Sequence, residues 1–231
     1  RQGLNYVRAA ADGVHIGART RWHDLIDDPS LRTIHPLLAA ALPHIAHYQI
    51  RNRGTVGGSL AHADPAAELP CIATTCDATL RVLSPEGERS IPAADFFIGP
   101  LMTSLGEDEL ILELVLPAWP AHRRWAFTEF SRRHGDFALA GIALHYDLDA
   151  EGRACDAHVG VVGACQQPTR LASAEAALNG KVVNSSVAAE VAAAAEADLD
   201  PPADIHASSE YRRSLAITLL EQSVLEAAGG N

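Results

Sequence analysis

The sequence predicts an α+β fold in two parts, and three observations carry that reading. Apolar runs of strand length, at residues 14–18, 78–83 and 110–116, are interspersed with helical stretches in the first half. Beyond residues 118–122, Ala-Trp-Pro-Ala-His, the texture changes to three strand-like runs followed by three helical ones, the pattern of a sheet covered by helices. Apolar residues make up 48% of the 231 but aromatic residues only 5%, so a sizeable core of Ala, Val, Leu and Ile is expected.

The elements follow in order. Residues 14–18, Val-His-Ile-Gly-Ala, read as a short strand. Thr20 is placed to cap a short helix through Trp22 and Leu25, and Asp28-Pro29-Ser30 breaks it. Leu31, Ile34, Leu37, Leu38, Leu42 and Ile45 recur at helical spacing, with Pro36 and Pro43 splitting or kinking the helix. His35, His44 and His47 lie along that run at spacings that cannot bring all three to one metal, so they read as structural or exposed.

Residues 50–70 form the segment around which the rest is organised. It holds Gly54, Gly57 and Gly58 and the small hydroxyls of Thr55 and Ser59. Asp64-Pro65 then predicts a helix start, a capping side chain followed by proline at the first helical position, with the helix running to about Thr75. Glycines let a backbone approach a ligand closely, and a helix N-terminus offers N–H groups to an anion. The segment therefore reads as a tight loop feeding a helix and holding a polar, phosphorylated group. An ordinary Gly-rich turn between packed elements fits the same spacing equally well.

Residues 78–83 alternate as a strand, Ser84-Pro85-Glu86-Gly87 turns, and residues 89–91 return. Asp95-Phe96-Phe97 starts a short helical turn ending at Gly99-Pro100, and residues 110–116 form another strand. Past the boundary at residues 118–122, residues 124–131 read as a strand, and residues 138–148 and 154–163 flank the hairpin turn Asp149-Ala-Glu-Gly152. Helices are expected at about 172–178, 186–196 and 209–228. Tyr211, Leu215, Thr218, Leu219, Val224 and Leu225 give the last helix an apolar side, and Gly229-Gly230 stops it.

The net charge of -11 argues against a general nucleic-acid or anionic-membrane binder. Lys181 is the only lysine, which leaves a Schiff-base role to that residue alone. Cys71, Cys76, Cys155 and Cys165 match neither zinc nor iron–sulfur ligand spacing and read as small buried hydrophobes. No apolar run approaches about 18 residues, so no membrane span is expected. No secretory leader pattern is present, and the cytoplasm is the expected location. The chain opens at Arg1-Gln2-Gly3 without Met, so a leading piece is expected upstream.

The stretch from Arg51 to Pro70, Arg-Asn-Arg-Gly-Thr-Val-Gly-Gly-Ser-Leu-Ala-His-Ala-Asp-Pro-Ala-Ala-Glu-Leu-Pro, resembles the second FAD-binding signature of the molybdenum hydroxylases. The likeness is to their medium, flavin-carrying subunit, as in carbon monoxide dehydrogenase and nicotine dehydrogenase, and more distantly xanthine dehydrogenase. Phe96-Phe-Ile-Gly-Pro-Leu101 with Glu109-Leu-Ile-Leu-Glu113, Arg132-Arg-His-Gly-Asp-Phe-Ala-Leu-Ala-Gly141 and Glu210-Tyr-Arg-Arg213 fit the same family. The resemblance covers essentially the whole chain.

It implies a vanillyl-alcohol-oxidase-type FAD-binding domain, of which residues 1–120 are the second subdomain. A C-terminal domain, residues 121–231, would be a three-stranded antiparallel sheet with a helical bundle. It implies FAD here, and molybdopterin and [2Fe–2S] clusters on a large and a small partner subunit in a dimer of heterotrimers. The chain would receive electrons from the clusters and pass them to an external acceptor. A flavin-free scaffold of the same complex and a self-contained FAD oxidase are the alternatives.

By the same resemblance Thr55, Val56, Gly57, Gly58 and Ser59 meet the FAD phosphate and ribityl region. Glu68 stands at an acidic position, more usually Asp, that contacts the flavin side, and Ile111 offers a backbone contact near the isoalloxazine. His62 either lines the site or is a plain loop histidine. Asp64 either caps the helix or reaches the cofactor, and Asp-Pro favours the cap. Asp136 and Phe137 lie near the domain junction. The family's first FAD signature, an Ala-Gly-Gly-x-Ser/Thr loop, would lie upstream of Arg1. No catalytic triad, metal cluster or carboxylate pair stands out, which fits a relay whose chemistry is the cofactor's.

Overall fold

The computed structural model describes residues 3–230. The chain begins with strands β1 (Val7–Ala10) and β2 (Gly13–Gly17). A helical layer follows: α1 (Trp22–Ile26), α2 (Leu31–Ile34), α3 (Pro36–Ala41), α4 (Tyr48–Arg51), α5 (Val56–His62) and α6 (Glu68–Thr75). The hairpin β3 (Thr79–Ser84) and β4 (Gly87–Pro92) leads through α7 (Ala93–Phe96) to a small hairpin, β5 (Phe97–Gly99) and β6 (Met102–Thr103). Strand β7 (Leu110–Pro117) then enters the middle of an antiparallel sheet of order β1-β2-β7-β3-β4.

The second half begins with β8 (Arg124–Phe130), β9 (Ala140–Leu148) and β10 (Ala154–Val162). The short β11 (Thr169–Arg170) completes a sheet of order β11-β10-β9-β8. Helices α8 (Ala172–Leu178), α9 (Ser185–Ala194) and α10 (Ser209–Gly229) follow. Strands β9 and β10 are buried along most of their length because both faces of this sheet are covered. Helices α8 and α10 lie on it, and α6 of the first half packs against it too. Gly160 makes that second contact possible: a Cβ there would sit 1.8 Å from Thr75 Oγ1.

Two apolar clusters result. One fills the space between the first sheet and α1–α6 and takes in Phe127 and Ala143 of the second half. The other lies between the second sheet and α8–α10. Among the described residues no helix is long and apolar enough to cross a membrane.

Most expected elements are present within a residue or two, and the departures have physical causes. Thr20 does not cap α1. Its hydroxyl donates to Tyr6 O and accepts from Tyr6 N, tying the chain start to β2, and Arg21 holds the cap position. Pro36 begins α3 and Pro43 falls in a 3-10 turn, so the apolar run at 31–45 is three short pieces. Strand β1, α4, the β5–β6 hairpin and β11 were not expected. β11 makes the second sheet four-stranded rather than three-stranded. The buried side of α10 is Arg212, Ala216, Leu220, Ser223, Val224 and Ala227, rotated from the expected one, which leaves Tyr211 and Leu225 exposed. Small residues there let the helix lie close on β8 and β9.

Candidate cofactor site

The glycine segment is a helix, not a loop. Thr55 caps α5, its Oγ1 accepting from Gly58 N, so Gly57 and Gly58 form the first turn. Helix α5 stops at Ala63 in the left-handed conformation, φ 54°. Asp64 does not cap the following helix. Its Oδ1 accepts from Ala66 N at 2.8 Å in a local turn, and α6 starts only at Glu68, with Ala67 at the cap position and no side-chain cap. Asx turns of this kind compete with capping whenever the chain is not yet helical.

The residues expected at the site fall into two groups joined by α5. Thr55, Val56, Gly57 and Gly58 lie at its N-terminal end, beside β2. Val56 N donates to Thr20 O and Gly57 N to Ala18 O, so these two N–H groups are already engaged. Ala18 N in turn donates to Leu112 O, next to the buried Ile111 in β7. What this end leaves available is the hydroxyls of Thr55 and Ser59 and the open flank of Gly58.

The second group, Ser59, His62, Asp64 and Glu68, lines one cavity of about 670 Å³. Its opposite wall comes from the second half of the chain: Arg132, Gly135, Asp136 and Phe137, with Asp204 and Arg212 behind. Trp22, Ile45, Ile50 and Leu139 supply the apolar part of the lining. A slightly larger cavity of about 740 Å³ lies between Arg32, Trp119, Arg124 and Leu148. None of the residues expected from the sequence reaches it.

The loop 132–139 is held in place from two sides. Gly135, at φ +88°, passes so close to His47 that a Cβ would lie 2.5 Å from its Nδ1. Arg212, 4% exposed, donates to the carbonyl of Leu139 at 2.9 Å and to Asp204 Oδ2 at 2.8 Å.

Glu68 has a neighbour that the sequence did not reveal. The buried carboxyl of Glu129 on β8 and that of Glu68 act on each other electrostatically, so two interacting carboxyls are present where the sequence marked none. Burial pushes the pKa of Glu68 up, and burial together with the Glu68 charge pushes that of Glu129 up. Arg51, whose charge acts on Glu68, donates to the carbonyls of Pro43, Ile45 and Ala46 instead.

The sequence places the chain among known proteins. Residues 2–119 match the family model described as FAD binding domain in molybdopterin dehydrogenase, and residues 125–227 match CO dehydrogenase flavoprotein C-terminal domain. The chain belongs to the FAD-binding subunits of the molybdopterin dehydrogenases. It is 38% identical to the nicotine 6-hydroxylase medium subunit of Paenarthrobacter nicotinovorans, over 97% of this chain and 78% of that one. The solved carbon monoxide dehydrogenase of Hydrogenophaga pseudoflava superposes with a TM-score of 0.93 at 34% identity, covering 98% of this chain and 78% of that one. Quinoline 2-oxidoreductase of Pseudomonas putida 86 gives 0.92 at 36% identity, covering 98% and 79%.

The residues of this FAD-binding subunit suit its cofactor. At Gly58 only Thr55 Oγ1 lies within 4 Å of where a Cβ would be, so an anionic group can come close to the main chain. The cavity lining combines polar groups from both halves of the chain with the apolar Trp22, Ile45, Ile50 and Leu139, as a flat ring with polar edges requires. Sequence reasoning missed Glu129, Asp204 and the role of Arg212. Arg212 stands in a stretch that already pointed to the family; nothing local marks Glu129.

Proposed function

We propose that this FAD-binding subunit takes electrons from [2Fe–2S] clusters on a small partner subunit and passes them from FAD to an external acceptor. A large molybdopterin subunit oxidises the organic substrate, and the three chains assemble as a dimer of heterotrimers in the cytoplasm. Residues 1–120 and 121–231 act as two units, and FAD lies across their junction. Thr55, Val56, Gly57, Gly58 and Ser59 meet the phosphate and ribityl part of FAD. His62, Asp64 and Glu68 meet the flavin side, and Ile111 offers its backbone near the ring.

One observation carries this reading. Four residues of one short segment, Ser59, His62, Asp64 and Glu68, share a cavity with the loop 132–139 from the other half of the chain. A cofactor held there touches both halves and is shielded from bulk water on two sides. Among the described residues no group of three or more His, Cys, Asp or Glu is placed to hold a metal. The polar groups present can orient a cofactor, whose own chemistry does the redox work.

The test is purification of the assembled complex with its natural partners. Flavin near one per chain, reduced by organic substrate in the complex but not in this chain alone, is the expected result. Absence of flavin would make the chain a scaffold. Reduction by organic substrate in the isolated chain would make it a self-contained oxidase.

A further inference from the structure

Three titratable side chains connect the protein surface to the cavity, and each comes from a different element. Glu68, 6% exposed, is the first residue of α6 and lines the cavity. Glu129 on β8, which acts electrostatically on Glu68, has its side chain 2% exposed, and its Oε2 finds no donor in the surrounding structure. His44 closes the line: its Nδ1 is 3.8 Å from Glu129 Oε1, and its side chain is 35% exposed. The His44 ring is steadied edge-on by Phe127, with centroids 5.2 Å apart.

Two buried carboxyls act on each other here, and Glu129 Oε2 has no donor; a proton on one of them supplies it. The charged groups around them do not remove that need. Arg51 acts on both Glu68 and His44 but spends its hydrogen bonds on backbone carbonyls. Asp64 adds negative charge acting on Glu68, and His134 acts on His44 through its charge. A proton held by the pair sits at the cavity wall, because Glu68 lines it. A purely structural pair would need neither a member open to the cavity nor a histidine leading out to solvent.

We propose that His44, Glu129 and Glu68 form a proton path from solvent to the cofactor cavity, with Glu68 handing the proton over. The proposal rests on the flavin reading of that cavity. In one passage, Glu68 releases its proton to an acceptor in the cavity. Glu129 and Glu68 are then both ionised until His44, protonated from water, returns a proton to Glu129, and the pair shares it again. One proton leaves the solvent, one enters the cavity, and no electron moves through these side chains. The electrons that create the demand for the proton come from the partner's clusters. The 3.8 Å between His44 and Glu129 is longer than a hydrogen bond, a gap that a small ring rotation or one water closes.

The test uses the assembled complex with wild-type chain, Glu129→Gln and His44→Gln. Flavin content is read by absorption, and proton uptake on reduction is followed with a pH-indicator dye in stopped flow. The infrared reduced-minus-oxidised spectrum reports the C=O stretch of a protonated carboxyl. Both variants are expected to keep wild-type flavin content and to slow proton uptake about a hundred-fold, the scale of a lost acid–base group. Glu129→Gln is also expected to lose the carboxyl band. Unchanged uptake in both variants at full flavin content would overturn the path. Absence of flavin in the wild-type complex would instead overturn the flavin reading. If Glu129→Gln does not fold, the half-exposed His44→Gln decides by itself.

Discussion

Gly57, in the first turn of α5, packs against Ala18 at the end of β2 with no space for a side chain. A Cβ at Gly57 would lie 2.7 Å from the Ala18 Cβ and 2.9 Å from the Ala18 carbonyl oxygen. Its neighbour Gly58 would meet only Thr55 Oγ1, at 3.0 Å, and faces outward. Two adjacent glycines are thus required for different reasons, one for packing and one for access.

The first prediction separates them. Gly57→Ala is expected to destabilise the fold by about 1–3 kcal/mol through overpacking against fixed backbone. Gly58→Ala gains helix propensity against slight crowding at Thr55 and is expected to stay within about 1 kcal/mol of wild type. FAD affinity should fall in Gly58→Ala all the same, because the added methyl occupies the open flank. Urea midpoints and flavin titration measure the two effects independently.

The second prediction concerns Arg212. Its guanidinium joins α10 to the carbonyls of Ala138, Leu139 and Gly163 and to Asp204. Arg212→Ala leaves those buried acceptors without donors and is expected to cost about 3–5 kcal/mol. Asp204→Asn should cost much less, because the Asp204 side chain is 42% exposed and water replaces the lost charge. The comparison of urea midpoints for the two variants checks this.

How far the sequence revealed all this differs by element. The hairpin β9–β10 and helices α8–α10 were legible because period and turn chemistry agreed. The glycine segment was legible as a family motif but not as structure. Gly-Gly weakens a helix locally, yet the Thr55 cap and the contact with Ala18 outweigh that penalty. Asp64-Pro65 carried a helix-start signal that an Asx turn took over. Ser59, His62, Asp64 and Glu68 could be named from one segment, whereas Glu129 comes from a strand many residues away. Only the folded chain brings its carboxyl close enough to act on Glu68, and no single-sequence pattern records such a meeting.

The third prediction is an acid limb in stability. Burial pushes the His35 pKa down to about 4 and that of His145 well below 6.5. Both side chains stay neutral in the fold while the unfolded chain binds protons below about pH 6.5. The unfolded state therefore gains as pH falls through that window. The contribution of His35 is fully present above pH 6.5 and decreases by about 3 kcal/mol as pH approaches 4. His35→Asn keeps an acceptor for Leu38 N–H and removes the titration. Its baseline stability is expected to be lower, but the variant-minus-wild-type difference should shrink as pH drops from 6.5 to 4. A difference independent of pH would contradict the assignment.

The last prediction has the opposite sign. The Glu68–Glu129 pair keeps a proton in the fold at pH values where an ordinary glutamate, near 4.5, has already lost it. Here the native state binds more protons than the unfolded state, so stability falls as pH rises from about 4.5 toward the raised pKa values. Each retained proton gives at most about 1.4 kcal/mol per pH unit. Between pH 4.5 and 6.5 this trend offsets that of the histidines, and above 6.5 it acts without them, which places the joint optimum of the two sets in the mildly acidic range. Glu129→Gln removes the carboxyl that burial and the Glu68 charge hold protonated, and leaves Glu68 buried as before. The variant should therefore gain stability over wild type progressively from pH 6.5 to 8, while Asp147→Asn, away from the pair on the edge of the other cavity, should not. Urea denaturation of the three proteins across that range would reject the shared proton if their curves stayed parallel.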